Sequence, residues 1–349
     1  MKLQEYINEK LTTGGHQEIP RVEYNHSFTD RNGVRHENGY KPKDRESLLE
    51  LLQVLKKERG NKGDFNDIDV SEITNMSYLF SDRKSYSFNG DITGWDTSSV
   101  EDMSYMFSNT GVFNQPIGEW DTSKVKSMNS MFSAANSFNQ PVEEWDTSSV
   151  EDMSYMFEDA KRFNQPIGSW DTSKVENMSC MLSGAKSFNQ PIGKWDTSKV
   201  TDMSYMFNEA IKFNQPIEEW STSKVRDMSY MFSGAKSFNQ SIDKWDTGNV
   251  ENMSYMFDDT KSFNQDLSNW RVSNVRKMDG MFHDAKSFNQ PIGDWDVRSA
   301  EQMTDMFRGA KVFNQDISGW EVSKVQKMDN MFDDCPIDDN HKPIFTKLR

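Results

Sequence analysis

The sequence predicts an α/β fold: a leucine-rich-repeat-like, right-handed solenoid of about ten to eleven 25-residue coils, each a short strand plus a short helix, with an N-terminal capping helix. Three observations carry that prediction. All ten Trp lie 25 residues apart, from Trp95 to Trp320. Twenty of the 22 Met fall two to a unit, from Met103 and Met106 to Met328 and Met331. Strings close to FNQPIGEWDTSKV begin at Phe113, Phe138, Phe163 and Phe188. A 349-residue chain that is only 35% hydrophobic and carries a net charge of −15 would otherwise suggest disorder. Residues placed with this regularity instead describe units that stack and bury a shared face.

The elements follow in chain order. Residues 1–44 form an N-terminal extension, in which EYNHSFTDRNGVRHENGY reads as a hairpin turning at Asn32-Gly33. Residues 45–63 contain RESLLELLQVLKKERG, an amphipathic helix ending at Gly60 that caps the first unit. That unit, DFNDIDVSEITNMSYLF, keeps Met76, Leu79 and Phe80 but lacks a Trp. The solenoid spans residues 64–334. Within one unit Val100, Met103, Met106, Phe107 and Thr110 sit at offsets 0, 3, 6, 7 and 10, an arc of about 120° at 100° per residue, which predicts a short amphipathic helix. The residue two after each Trp is Thr seven times and Val three times, so Trp and a β-branched residue share the inward face of a predicted strand. Asp-Thr-Ser supplies helix N-caps, and Ser98-x-x-Glu101, Ser148-x-x-Glu151 and Ser173-x-x-Glu176 match capping boxes. After Cys335 the pattern stops, and residues 335–349 read as a C-terminal cap.

Stacking turns each repeated residue into a row, and each row has a structural reading. The Asn after Phe, from Asn89 to Asn314, places side-chain amides where they can satisfy backbone groups of neighbouring coils. The Met pairs fill the core rather than bind soft metal. Trp shares its parity with a position that accepts Val, which turns it inward and away from use as a stacking platform. An acid follows Trp in eight of ten units, yet Ser221 and Arg271 take the same place and no calcium-loop spacing accompanies it, so helix capping is the expected role. His16, His26, His36, His283 and His341 are scattered, and Cys180 and Cys335 are too far apart in the stack for a disulfide. No phosphate loop or nucleophile elbow is present. The expectation is a protein that is not an enzyme, with no catalytic, cofactor-binding or metal-binding residue and no cofactor.

The string FNQPIGxWDTSKVxxMSYMFxxAKS resembles the 25-residue repeat of the BspA-like bacterial surface-protein family, which is also abundant in mycoplasma and Listeria-type lipoproteins. ERGNKGDFNDIDVSEITNMSYLF is similar to the lead-in of those arrays, so the resemblance covers about residues 44–345. It implies a leucine-rich-repeat-like solenoid used in adhesion or protein binding at the cell surface, and brings no catalytic residues. The stretch MKLQEYINEKLTTGG has no apolar leader core or lipobox cysteine, so the chain as written reads as cytoplasmic, with the cell surface as the alternative by family analogy.

Two rows are candidate binding surfaces. The residues flanking Trp point outward if Trp points in, and these twenty positions hold twelve acids against three bases, a net of −9. Glu119, Asp121, Glu144, Asp146, Asp171, Asp196, Glu219, Asp246, Asp294 and Asp296 are the candidates among them. Such a face repels nucleic acid and anionic membrane and attracts a basic protein. The alternative is that like charges keep an open sheet unpaired. The second row holds Tyr155, Tyr205, Tyr230 and Tyr255, with Tyr105, about 160° from the centre of the apolar stripe. Its readings are lateral packing between helices or an aromatic contact row for a partner. A monomeric, non-catalytic scaffold for protein–protein interaction or adhesion is the expected function, without membrane insertion; a carbohydrate-binding surface is the alternative.

Overall fold

The structure, a computed structural model, describes residues 21–345. The chain enters through a two-stranded antiparallel hairpin, β1 (Val22–Thr29) and β2 (Arg35–Pro42). Its turn closes with hydrogen bonds from Gly33 N to Asp30 O at 3.0 Å and from Asp30 N to Val34 O at 2.9 Å. Gly33 adopts φ +81°, a conformation that costs glycine little because it has no Cβ.

Helix α1 (Arg45–Arg59) follows at once. Asp44 caps it by accepting from Ser47 N, and the Ser47 hydroxyl accepts from Asp44 N to complete a capping box. Gly60 ends it, with its N–H bonded to Lys56 O. Leu48, Leu51, Leu52 and Leu55 recur at helical spacing and are at most 2% exposed. They belong to the same core as Phe65, Ile68 and Met76 of the first coil, so the helix covers the end of the array. Arg45 Nε donates to Ser77 O at 2.6 Å, and the Lys56 ammonium lies 5.8 Å from the Phe80 ring centroid, fixing the helix there.

From residue 61 onward the chain is a stack of 25-residue coils, and the coils contain neither the strand nor the helix that the sequence predicts. Apart from short 3₁₀ turns at Arg83–Ser87 and Asp339–His341, the described array is built from consecutive turns. In the span predicted to be helical, Met106 N bonds Met103 O, Ser108 N bonds Tyr105 O and Thr110 N bonds Phe107 O, each three residues back. The N–H groups of Met103, Tyr105, Phe107 and Asn109 instead reach the next coil, at Ser127, Asn129, Met131 and Ser133 O, over 2.7 to 3.1 Å. A helix would spend those donors within itself. Tyr105 at φ +58° and Asn109 at φ +63° hold the third position of their turns, as a type II turn requires, and the same two positions are left-handed in every later coil.

The predicted strand is likewise an extended stretch between turns. Trp and Thr do face inward: Trp95 to Trp320 are 1% to 4% exposed, and Thr97 is 1% exposed. Coils are joined there by side chains. Trp145 Nε1 donates to Ile117 O at 3.1 Å and Thr122 Oγ1 donates to Asp146 O at 2.9 Å, and both bonds recur along the array. The capping-box expectation fails for the same reason as the helix, since Glu101 N bonds Thr74 O of the preceding coil at 2.7 Å.

The core is a set of aromatic columns. Phe107 stacks on Phe113 of its own coil at 4.0 Å between centroids and on Phe132 of the next at 5.5 Å, and Trp95 stacks on Trp120 at 6.4 Å. The Asn row satisfies backbone donors: Asn114 Oδ1 accepts from Asn139 N at 2.8 Å, and each Asn repeats this for its successor. Parallel bridges complete the ladder, a first one of 27 residues at Asn75–Asp102 and then one every 25 residues from Asp102–Ser127 to Gln302–Lys327. Beyond Cys335, Asp338 N bonds Asn314 Oδ1 and Ile317 N bonds His341 O, so the chain's last described segment lies against the final coil.

Candidate functional site

The inward Trp fixes what its neighbours do. Glu119, Glu144, Asp146, Asp171, Asp196, Glu219 and Asp294 are exposed, and Asp121, Asp246 and Asp296 are half-exposed. The stack thus brings all ten predicted acids onto one side of the array, 25 residues apart in two rows. Their role is not helix capping. Each Asp after Trp folds back two residues: Asp121 Oδ1 accepts from Ser123 N at 3.0 Å and from Ser123 Oγ at 2.7 Å, and Asp146, Asp171 and Asp196 accept from Ser148, Ser173 and Ser198 N. These are Asx turns. The Ser side chain and then the Ser N–H hold Asp121, Asp171 and Asp196 below the usual carboxylate range.

Charge is not spread evenly along the face. Glu219 pairs with Lys244 at 2.9 Å, Asp246 with Arg271 at 2.5 Å, and Asp296 with Arg298 at 2.7 Å. The hydrogen bond from Arg298 pulls Asp296 down to about 2. Among the described residues, Glu119, Asp121, Glu144, Asp146, Asp171 and Asp196 have no cationic partner within ion-pair distance. Asp294 is unpaired as well, so six of the seven unpaired candidates lie in coils 119–196, a concentration that counting charges along the sequence does not reveal.

The tyrosines stand at the left-handed turn position rather than on the outer face of a helix, with Tyr155, Tyr205, Tyr230 and Tyr255 at φ +56° to +58°. Tyr205 stacks on Tyr230 at 4.4 Å and Tyr230 on Tyr255 at 4.8 Å, while Tyr78, which the sequence reading passed over, stacks on Tyr105 at 4.5 Å. Tyr205, Tyr230 and Tyr255 thus pack laterally between coils, whereas Tyr155 stacks on no described ring; Tyr155 and Tyr205 remain 38% and 36% exposed. Between those two, Cys180 replaces a ring. Its thiol, pushed up to about 11 by burial, lies beside the Tyr155 hydroxyl, whose own value rises to about 12, first through that hydrogen bond. An open groove of about 530 Å³ lies at this point, with Glu158, Asp159 and Glu209 in its wall.

Among the described residues no group of three or more His, Cys, Asp and Glu side chains is placed to hold a metal ion. Cys180 and Cys335 are both free thiols. No described helix is long and apolar enough to cross a membrane. The leader stretch considered from the sequence, and the last four residues of the C-terminal cap, lie outside the described residues.

Stacked coils of one period, with a fixed core and a variable exterior, define a tandem-repeat protein. The chain belongs to the family described as "Mycoplasma protein of unknown function, DUF285", which matches it over residues 49–168, 154–260 and 238–342. No curated protein and no solved structure matches the chain.

Proposed function

We propose that the protein is a non-catalytic, monomeric scaffold whose acidic Trp-flanking face binds a basic protein or peptide, in adhesion or in assembly, as the resemblance to BspA-like surface proteins also implies. The observation that carries this reading is the unpaired carboxylate rows of coils 119–196, exposed on a rigid stack. Six like charges are held there, and three of them are favoured in their ionised form by Asx-turn hydrogen bonds. A rigid anionic surface speeds encounter with cationic partners and repels polyanions, nucleic acid included. A carbohydrate platform built on Trp would need indole rings at the surface, and they are in the core.

Binding of length-matched basic, neutral and acidic peptides tests the reading, with a glycan array alongside. The basic set is expected to bind selectively, with an affinity that falls as salt rises. Changing Glu119, Glu144 and Glu219 to Lys should weaken that binding and flatten its salt dependence. Unchanged peptide binding by the folded triple variant, or glycan binding in place of peptide binding, would overturn the assignment.

A further inference from the structure

The tyrosine row is interrupted at a place where the backbone is not. Tyr155, Cys180 and Tyr205 have φ of +58°, +56° and +57°, so the three coils present their side chains alike and only the middle ring is missing. Intact neighbours repeat at 4.4 to 4.8 Å; a row that keeps this step sets the faces of Tyr155 and Tyr205 ~9 Å apart, room for one planar group ~3.5 Å from each. The groove over Cys180 occupies that position. Gly184 makes room for a carboxylate in its wall, because a Cβ on residue 184 would clash with Asp159 Oδ1.

Charge decides what planar group fits. Glu158, Asp159 and Glu209 line the groove, against one cation, Lys186. A neutral ring would shield these carboxylates from water without pairing them. An ammonium is compact and does not fill a slot between two rings. A guanidinium is planar, stacks on aromatic faces and offers a fork of donors to carboxylates at its edge. We propose that this groove takes an arginine side chain of the partner, its guanidinium sandwiched between Tyr155 and Tyr205 and paired with the carboxylates of the wall. The row has a second break, at Ser130 between Tyr105 and Tyr155, but Asn109, Ala134 and Asp159 stand there where the Cys180 break has Asp159, Gly184 and Glu209. It has one carboxylate fewer, and a Cβ at residue 134 where the Cys180 break has glycine.

The inference rests on the protein-binding reading, but on a different face, and the two fail separately. N-acetyl-arginine amide, titrated into the full chain while the tyrosine ring resonances are followed, should shift Tyr155 and Tyr205 saturably, with N-acetyl-lysine amide about fivefold weaker. Cys180→Tyr restores the ring found at this position in neighbouring coils and should abolish the response, while Ser130→Tyr should leave it intact. Tyr205→Ser, which removes one wall, should abolish it too and serves if Cys180→Tyr does not fold. No saturable shift, an equal response to lysine amide, a stronger one to N-acetyl-phenylalanine amide, or an unchanged response in the folded Cys180→Tyr or Tyr205→Ser protein would overturn the site. Arginine binding retained in the Glu119, Glu144 and Glu219 to Lys variant, with basic-peptide binding unchanged, would count against the acidic face alone.

Discussion

The Asp that follows a buried Trp is subject to two effects that pull in opposite directions. Asp171 and Asp196 stand one coil apart and repel, and this raises Asp196; the hydrogen bonds from Ser198 pull it down by more, so the net shift is downward. Depressed values in the folded state favour the ionised form there, so the stabilisation is fully present above the ordinary carboxylate value of 3.8 and is lost as pH falls through the lower folded values. The thermal midpoint should therefore fall between about pH 4 and pH 2. Changing Ser123, Ser173 and Ser198 together to Ala should flatten that fall, because the side-chain hydrogen bond is the largest cause in all three. A midpoint that instead rises on acidification would mean that relief of repulsion between the rows outweighs the turns.

The coil is a ladder of single hydrogen bonds, so each rung can be removed alone. Asn189 Oδ1 accepts from Asn214 N at 2.9 Å, and the Asn189 backbone oxygen accepts from Gln215 at 3.0 Å. Asn189→Ala leaves a half-buried N–H without its acceptor and should cost about 1 to 3 kcal/mol in denaturant unfolding. Asn189→Asp keeps an acceptor and should cost less; equal losses would show that the amide's own packing matters more than the bond. This row, and the inward Trp, were legible in the sequence because an unvarying residue every 25 positions must meet its own copies. The turn-built coil was not read. Val100, Met103, Met106, Phe107 and Thr110 fit a helical arc, yet they mark the ends of three-residue turns that supply donors to the next coil. A signal for this was present: the position of Asn109 holds Asn, Asp or Gly in eight of ten coils, and those residues tolerate positive φ. Helical periodicity and that preference point to different backbones over the same residues, and the turns win because they free donors for the next coil. The groove over Cys180 was illegible for a different reason, since a missing ring becomes a cavity only once Tyr155 and Tyr205 are known to align.

Across the whole molecule the turn bonds have a direction, opposite to that of the Asn and Trp bonds. The four turn donors of each coil all point toward the C-terminal neighbour, from Met103, Tyr105, Phe107 and Asn109 in one coil to Met303, Asp305, Phe307 and Gly309 in the last to find acceptors. The acceptor end of the stack is covered by α1 and the hairpin, with Arg45 on Ser77 O and Tyr40 N on Asp67 O. At the other end no described residue accepts from the N–H groups of Met328, Asn330, Phe332 and Asp334. Two donor edges cannot pair with each other through these bonds, and the acceptor edge that could pair with one is covered by α1 and the hairpin, an arrangement consistent with the monomer proposed above.

Such a stack has stability summed over coils and their interfaces, so any internal coil can be removed in register. Deleting Phe163 through Ser187 joins Arg162 to Phe188 and brings Asn189 against Asn139, Trp195 against Trp145 and Tyr205 against Tyr155, like against like at every row. The most direct measurement is the thermal unfolding of this 25-residue deletion beside one lacking Phe163 through Lys174, about half a coil. The in-register deletion is predicted to unfold cooperatively with buried indole fluorescence, at a midpoint close to that of the full chain, while the half-coil deletion loses both. If the two deletions behave alike, whether both fold or both fail, the stacked-coil account is contradicted.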